Sequence, residues 1–337
     1  RAGREVMNRR TLICAMIAAT VSSAALSSAA FSSKAWAQAF PNRPIKLIVP
    51  FPAGGPADMF ARHLGNGIAA ELGQQVVIEN RAGTGGMAGV DAVAKSAPDG
   101  YTIGLNGAAA LAVMPFMTAK MPYDWQKDLA LLTLVVRVPE VLTIHPSVGV
   151  NTLQEFVAHA RANPGKVSFA SAGTGTVTHL AAELLKTEAK INIVHVPYRG
   201  AAPAVNDLIG GHVQMLVADV PVLLPHIRAG KIKALALTSG ARSSALPDVP
   251  TSAEAGFGTV LSDNWYGLSA PAGVPADIFD KLQKAAVKVL SSAEIKQQFD
   301  SQNSTPAPST PAEYAAFVKA EQAKWGPIVI ATGAKLE

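Results

Sequence analysis

The sequence predicts an α/β fold built in two halves, from three features. Short β-branched runs alternate with stretches of helical period, the pattern of parallel βαβ units. The alternation restarts midway along the chain. With 337 residues, 49% hydrophobic and 16% charged, there is enough apolar side chain for more than one core.

Taken in order, "IKLIVPF" (45–51), "QVVIEN" (75–80) and "YTIGLN" (101–106) read as strands. Between them, 56–72 carries Met59, Phe60, Leu64, Ile68 and Leu72 on one helical stripe, and 87–97 is a second helical stretch. The second half repeats the scheme with strands at 140–146, 166–173, 191–198, 211–219 and 232–238 and helices at 152–165 and 176–188. Two helices, 277–292 and 311–329, close the chain. Near-continuous strand character over 134–146 and the segment 256–272 suggest that the chain crosses twice between halves. The predicted division is 38–140 with 258–337 as a discontinuous first domain and 141–257 as the second. Two domains joined this way form a hinged cleft.

Residues 1–37 read as a leader. Arg9 and Arg10 follow Met7, an apolar stretch comes next, and Ala35-Trp36-Ala37 has the small-x-small form of a cleavage site, placing the cut near Ala37-Gln38. Residues 1–6 read as an upstream extension. The apolar stretch is shorter than the roughly 20 residues a membrane span needs. Export to the periplasm is the expectation. The leader holds Arg1, Arg4, Arg9, Arg10 and Lys34 against Glu5, so it carries most of the chain's net +5. The remainder is close to neutral, which argues against a nucleic-acid partner. Cys14, the one cysteine, lies in the leader, so thiolate catalysis, disulfides and cysteine metal sites are excluded from the mature chain.

The sequence holds no HExxH, GxxxxGK[ST] or GxSxG motif, and its seven histidines show no metal-ligand spacing. No metal and no cofactor is expected. "GTGGMA" (83–88) fits G-x-G-x-x-A, but four residues separate it from its strand and no acidic residue follows about 20 positions on, so a structural turn is expected there. Ser171 and His179 lie eight apart across a strand-to-helix turn, which leaves a secreted α/β hydrolase as the alternative class.

Two junctions carry more information. "PFPAGGPAD" (50–58) and "ASAGTGTVTH" (170–179) each run strand, glycine-rich turn, helix start. Gly54 and Gly55 admit positive φ and a close ligand approach, and Pro56 suits the first helical turn. Free N–H groups and the helix dipole at such a place favour a carboxylate. Asp58 stands four residues before Arg62, a spacing that also suits a local ion pair.

These junctions, with "IENRAGTGGMAGVDAVAKSAPDGYTI", "RANPGKVSFASAGTGTVTHLAAELL", "VPYRGAAPAVNDLIGGHV", "PHIRAGKIKALALTS" and "WYGLSAPAGVP", come in an order that resembles the Bug family, the periplasmic solute receptors of tripartite tricarboxylate transporters. The resemblance covers nearly the whole mature chain. It implies a periplasmic-binding-protein-like clamp: two α/β domains, each a mixed sheet flanked by helices, joined by crossing strands. It also implies a monomeric, non-enzymatic receptor that takes a small carboxylate and delivers it to integral-membrane transporter subunits, or presents it to a sensor protein. The site it implies has Ala53, Gly54, Gly55 and Asp58 on one wall and Ser171, Gly173, Thr174, Gly175, Thr176 and His179 on the other. Tyr198, Arg199 and Asp219 are further candidate contacts. The chain departs from the family pattern at Met87, at Ala218 and over 110–115. Leu111, Val113 and Met114 there suggest a ligand with an apolar body if they face the cleft.

Overall fold

In the computed structural model, which describes residues 40–333, one sheet of ten strands runs through the molecule. The leader and cleavage point predicted over residues 1–38 lie outside the described residues. Among the described residues, the sheet and its helices belong to one compact unit that begins at Arg43.

The strands are β1 (Ile45–Val49), β2 (Val76–Asn80), β3 (Thr102–Gly107), β4 (Leu129–Ile144), β5 (Ser168–Ser171), β6 (Val194–Pro197), β7 (Met215–Asp219), β8 (Lys233–Leu237), β9 (Asp263–Pro271) and β10 (Thr305–Pro306). Their order is β2-β1-β3-β9-β4-β7-β5-β6, with β8 and β10 also paired to β4. At one end β1 pairs in parallel with β2 and β3, and at the other β5 pairs in parallel with β6 and β7. The central ladders, β3 with β9 and β4 with β9, β7, β8 and β10, are antiparallel. The fold is therefore mixed α/β, two parallel trios joined through antiparallel strands.

β4 explains how one sheet serves both ends. Its sixteen residues are apolar almost without break, and only Arg137 is exposed, as suits a strand covered on both faces. Leu129 to Pro139 pair with β9, and Glu140 to Ile144 pair with β7 and β8. The change of partner falls beside Pro139, which has no N–H to give the ladder. The chain returns at Ser262, whose N–H donates to the Thr238 carbonyl just before β9 begins.

Nine helices of eight residues or more flank the described sheet: α1 (Pro56–Leu72), α2 (Met87–Ala94), α3 (Leu153–Ala162), α4 (Val177–Ala189), α5 (Ala201–Ile209), α6 (Val220–Arg228), α7 (Ala276–Leu290), α8 (Ala293–Asp300) and α9 (Pro311–Thr332). Thr152 with Glu155 and Thr310 with Glu313 form reciprocal capping boxes that start α3 and α9. Gly73, left-handed at φ 68°, ends α1. The sequence pattern does not announce α5 or α6, because Pro203, Pro221 and Pro225 interrupt their helical period.

Leu111, Val113 and Met114, expected as possible cleft residues, are fully buried in an apolar cluster with Val177, Leu180, Trp265 and Trp325. Met114 is wedged between two turns: a Cβ added at Gly85 or at Gly175 would fall 2.1 or 2.3 Å from its Cε. Among the described residues no helix is long and apolar enough to cross a membrane.

Candidate functional site

Three strand-to-helix junctions bring helix N-termini together. β1 feeds α1 through 50–55, β5 feeds α4 through 172–176, and β6 feeds α5 through 198–200. At the first junction Gly54 is left-handed at φ 82°, whereas Gly55 is extended at φ −88° and caps α1 with no side chain. Gly200, at φ 114°, caps α5, likewise with no side-chain hydrogen bond. Only α4 has a side-chain cap, from Thr176.

Gly55, Pro56 and Ala57 of α1, Thr176, Val177 and Thr178 of α4, and Gly200, Ala201 and Ala202 of α5 all line one cavity of about 40 Å³. Gly107, Ala108, Ala109, Ala172 and Ala218 supply small apolar surface. The polar floor is Asp219 with Asn264 and Tyr266, and the lining holds no lysine, arginine or histidine. A space of this size accepts one small polar group. Three helix N-termini around it favour a negative one.

A second, larger compartment of about 630 Å³ adjoins the first and shares Phe51, Pro52, Ala172 and Gly200 with it. The remaining lining comes from the 82–86 turn and from Gly173, Thr174, Pro197, Tyr198 and Arg199. Pro52 and Gly200 form the neck, where a Cβ on Gly200 would lie 3.0 Å from Pro52 Cδ. The "GTGG" turn, expected to be purely structural, thus reaches the compartment wall.

The candidate residues divide into three groups. Ala53, Gly55, Thr176 and Asp219 line the inner cavity, and Gly173, Thr174, Tyr198 and Arg199 line the outer compartment. Gly54, Asp58, Ser171, Gly175 and His179 line neither and brace the walls from behind. Asp58 is buried and accepts from Gly54 N at 3.1 Å, Arg62 Nε at 2.9 Å and Asn80 Nδ2 at 3.1 Å. Burial pushes its pKa up, but Arg62, the Gly54 N–H and Asn80 outweigh that and hold it below the ordinary value. The Gly54 N–H therefore serves Asp58.

The second turn is tied down in the same way. Gly173 N donates to Ser171 Oγ at 3.1 Å, Ala172 N to Thr178 Oγ1 at 3.1 Å, and Gly175 N to His179 Nδ1 at 3.2 Å. Thr176 Oγ1 donates to the Gly173 carbonyl at 2.7 Å. The N–H groups of Gly54, Ala172, Gly173 and Gly175 are thus taken by side chains of the turns and helices themselves, while the first residues of α1, α4 and α5 line the cavity. These contacts also remove the hydrolase pair. Ser171 is fully buried with its hydroxyl 2.7 Å from His195 Nε2, and His179 Nδ1 is already an acceptor for Gly175. The His179 and His195 rings stack at 4.0 Å. Burial lowers both histidines, to about 3 and about 4 respectively, so both are neutral near pH 7.

Asp219 differs from the other acids. It is buried, with Asn264 Nδ2 donating to Oδ1 at 3.0 Å and Tyr266 OH to Oδ2 at 3.2 Å. Burial pushes it up to about 7 despite those donors. Directly across the ladder, β4 places Glu140, also fully buried, raised well above its ordinary value by burial and then by Asp219. Tyr198 lines the outer compartment, and its hydroxyl donates to Asp207 at 2.5 Å. Arg199 is exposed and has no ion-pair partner among the described residues.

Sequence reasoning missed Gly200, Ala201, Ala202, Asn264 and Tyr266. "YRGAA" repeats the strand-glycine-helix pattern of the other two junctions, and that signal was available. Asn264 carried a fainter one, a polar residue inside an apolar strand. Among the described residues no cluster of three His, Cys, Asp or Glu side chains is arranged to hold a metal.

Comparison with known proteins fits this geometry. The family model for the tripartite tricarboxylate transporter family receptor matches residues 60–334. The chain is 41% identical over 304 residues to Protein BugT of Bordetella pertussis, covering 89% of this chain and 93% of that one. It resembles the R. palustris protein Rpa4515, solved with adipate, at 32% identity and a TM-score of 0.85 over 88% of this chain and 100% of that one. The periplasmic binding protein BugD matches with the same identity, TM-score and coverage. These are solute-binding proteins and not enzymes. The chain belongs to the family of tripartite tricarboxylate transporter receptors, the Bug-type periplasmic solute-binding proteins.

Proposed function

We propose that this receptor captures a small organic acid by seating one carboxylate in the inner cavity, with the rest of the ligand in the outer compartment. The observation that carries the reading is the convergence of the N-termini of α1, α4 and α5 on a space with no cationic side chain. Backbone dipoles and N–H groups, rather than an arginine, neutralise the ligand. Rpa4515 binds adipate, which supports a carboxylic acid as the ligand class here. Phe51, Pro52 and the 82–86 turn offer the ligand's body a surface of apolar side chains and backbone.

The two ends of the sheet act as lobes in this reading, meeting beside Pro139 and Glu140 on β4 and beside Ser262 and Asp263 at the return. The periplasm is the working compartment, reached through the leader, and the loaded receptor hands its acid to the membrane subunits of a tripartite transporter. The test is calorimetry and thermal shift with adipate, succinate, hexanoate, benzoate and citrate. The reading expects at least one of the slimmer acids to bind and to raise Tm. Binding of the matching amides in preference to the acids would overturn it.

A further inference from the structure

Asp219 is an unusual residue for a carboxylate receptor, because an acid lines the cavity that the ligand's own acid group would enter. The surroundings show how the two coexist. Asp219 stands opposite Glu140 in the β4–β7 ladder, and both side chains are buried. Glu140 Oε2 accepts from Ser262 Oγ, while Glu140 Oε1 is buried with no hydrogen-bond partner. Among the described residues no lysine, arginine or histidine forms an ion pair with either acid. Charged side chains reach them only from further off, while Asp219 itself stands at the N-cap of α6, whose dipole favours its anion and opposes the effect of burial. Asp263 disfavours ionisation of Glu140 and Lys324 favours it, and Asp263 is itself acted on by Arg137, Lys324 and Glu321. Around Asp219 the neutral donors are Asn264 and Tyr266.

Two buried carboxylates in one place cannot both ionise without a cation, and a third from the ligand makes the conflict sharper. The three helix N-termini favour one negative charge in the cavity, and about 40 Å³ gives room for one. Resting on the carboxylate reading above, we propose that Asp219 holds the ligand as a neutral acid, donating its O–H to an oxygen of the bound carboxylate, so that each ligand is captured together with one proton. The proton comes from solvent and goes to an Asp219 oxygen. No covalent bond is made or broken. Burial already raises Asp219 to about 7, and a nearby anion raises it in the same direction, toward keeping the proton at neutral pH.

Two measurements test this. Infrared titration of the ligand-free receptor between about pH 5 and 8 should show a buried protonated carboxyl band that fades with rising pH and loses its titrating part in Asp219→Asn. Calorimetry with the first acid of the panel that binds, in buffers of different ionisation enthalpy, should show uptake of close to one proton per ligand at about pH 8 and near none at about pH 5. Affinity should fall about tenfold per pH unit above about pH 7. Asp219→Asn keeps a donor and cannot titrate, so it should bind with a flat pH profile and no proton uptake. Absence of the band, or heats independent of buffer with an acid that binds, overturns the proton linkage alone. Failure of every acid to bind overturns the carboxylate reading and the linkage with it.

Discussion

At the scale of the single residue, Gly54 and Gly200 show that two glycines with positive φ can have different jobs. A Cβ at Gly54 would meet nothing within 4 Å, so its constraint is the left-handed backbone alone. Gly54→Ala should cost stability by about 1 kcal/mol and leave ligand affinity nearly intact, as urea denaturation and calorimetry would show. Gly200 carries the same kind of φ and also faces Pro52 across the neck. Gly200→Val is strained by the same positive φ and should lower the urea midpoint, but under conditions where circular dichroism shows it folded it should block passage between compartments and abolish binding. Normal binding by that variant would remove the two-compartment arrangement. Arg199 gives a third residue-level outcome. It lines only the outer compartment, where a dicarboxylate would place its far end. Arg199→Ala should weaken adipate several-fold and leave hexanoate unaffected, and equal losses for both would place the arginine elsewhere in recognition.

At the scale of the element, the β5–α4 junction depends on side chains that fold back on it. The Gly175 N–H donates to His179 Nδ1, which requires that ring to be neutral at Nδ1, and Ser171 pairs with His195, whose ring burial also keeps neutral. Unfolded histidines bind protons below about pH 6.5, whereas these two resist protonation down to about 3 and about 4. The unfolded state then carries the extra protons, so stability falls as pH drops from about 6.5 toward 4. Asp219 works in the other direction. It stays protonated in the fold up to about 7 and ionises above about 3.8 when unfolded, so its contribution rises as pH drops from 7 toward 4. Urea midpoints across this range should therefore decline more steeply in Asp219→Asn than in the parent. Parallel curves for the two proteins would show that Asp219 is not protonated in the fold.

At the scale of the whole molecule, β4 belongs to both ends of the sheet, and the clamp reading expects one end to turn against the other beside Pro139, where β4 changes partner. Contact of Pro52 with Gly200, and of Met114 with the turns at Gly85 and Gly175, ties the ends together across the site. Small-angle scattering should show a smaller radius of gyration with a bound acid than without. Met114→Ala should populate the more open form in the absence of ligand by removing the shared wedge. An identical profile at saturating ligand would count against a clamp.

Much of this was legible along the chain, because it rests on short-range rules. Alternating strand and helix periods, Pro56 at a helix start and glycines at strand ends each constrain a few neighbouring residues, and they suffice for the α/β class and for two of the three junctions. The linear order of motifs carried the family resemblance. Which turn N–H groups are taken up within the fold was not legible, because it depends on where the other donors and acceptors go. Asn264 reaches Asp219 across 45 positions and Ser262 reaches Glu140 across 122. The same limit applies to 111–114, whose apolar side chains read equally well as cleft or core until the packing of Val177, Trp265 and Trp325 enclosed them. Local pattern specifies backbone conformation through each residue's own φ, ψ and burial preference. The cavity, its acid and the upward shift of that acid come from long-range packing, which alone sets how far each charge stands from water.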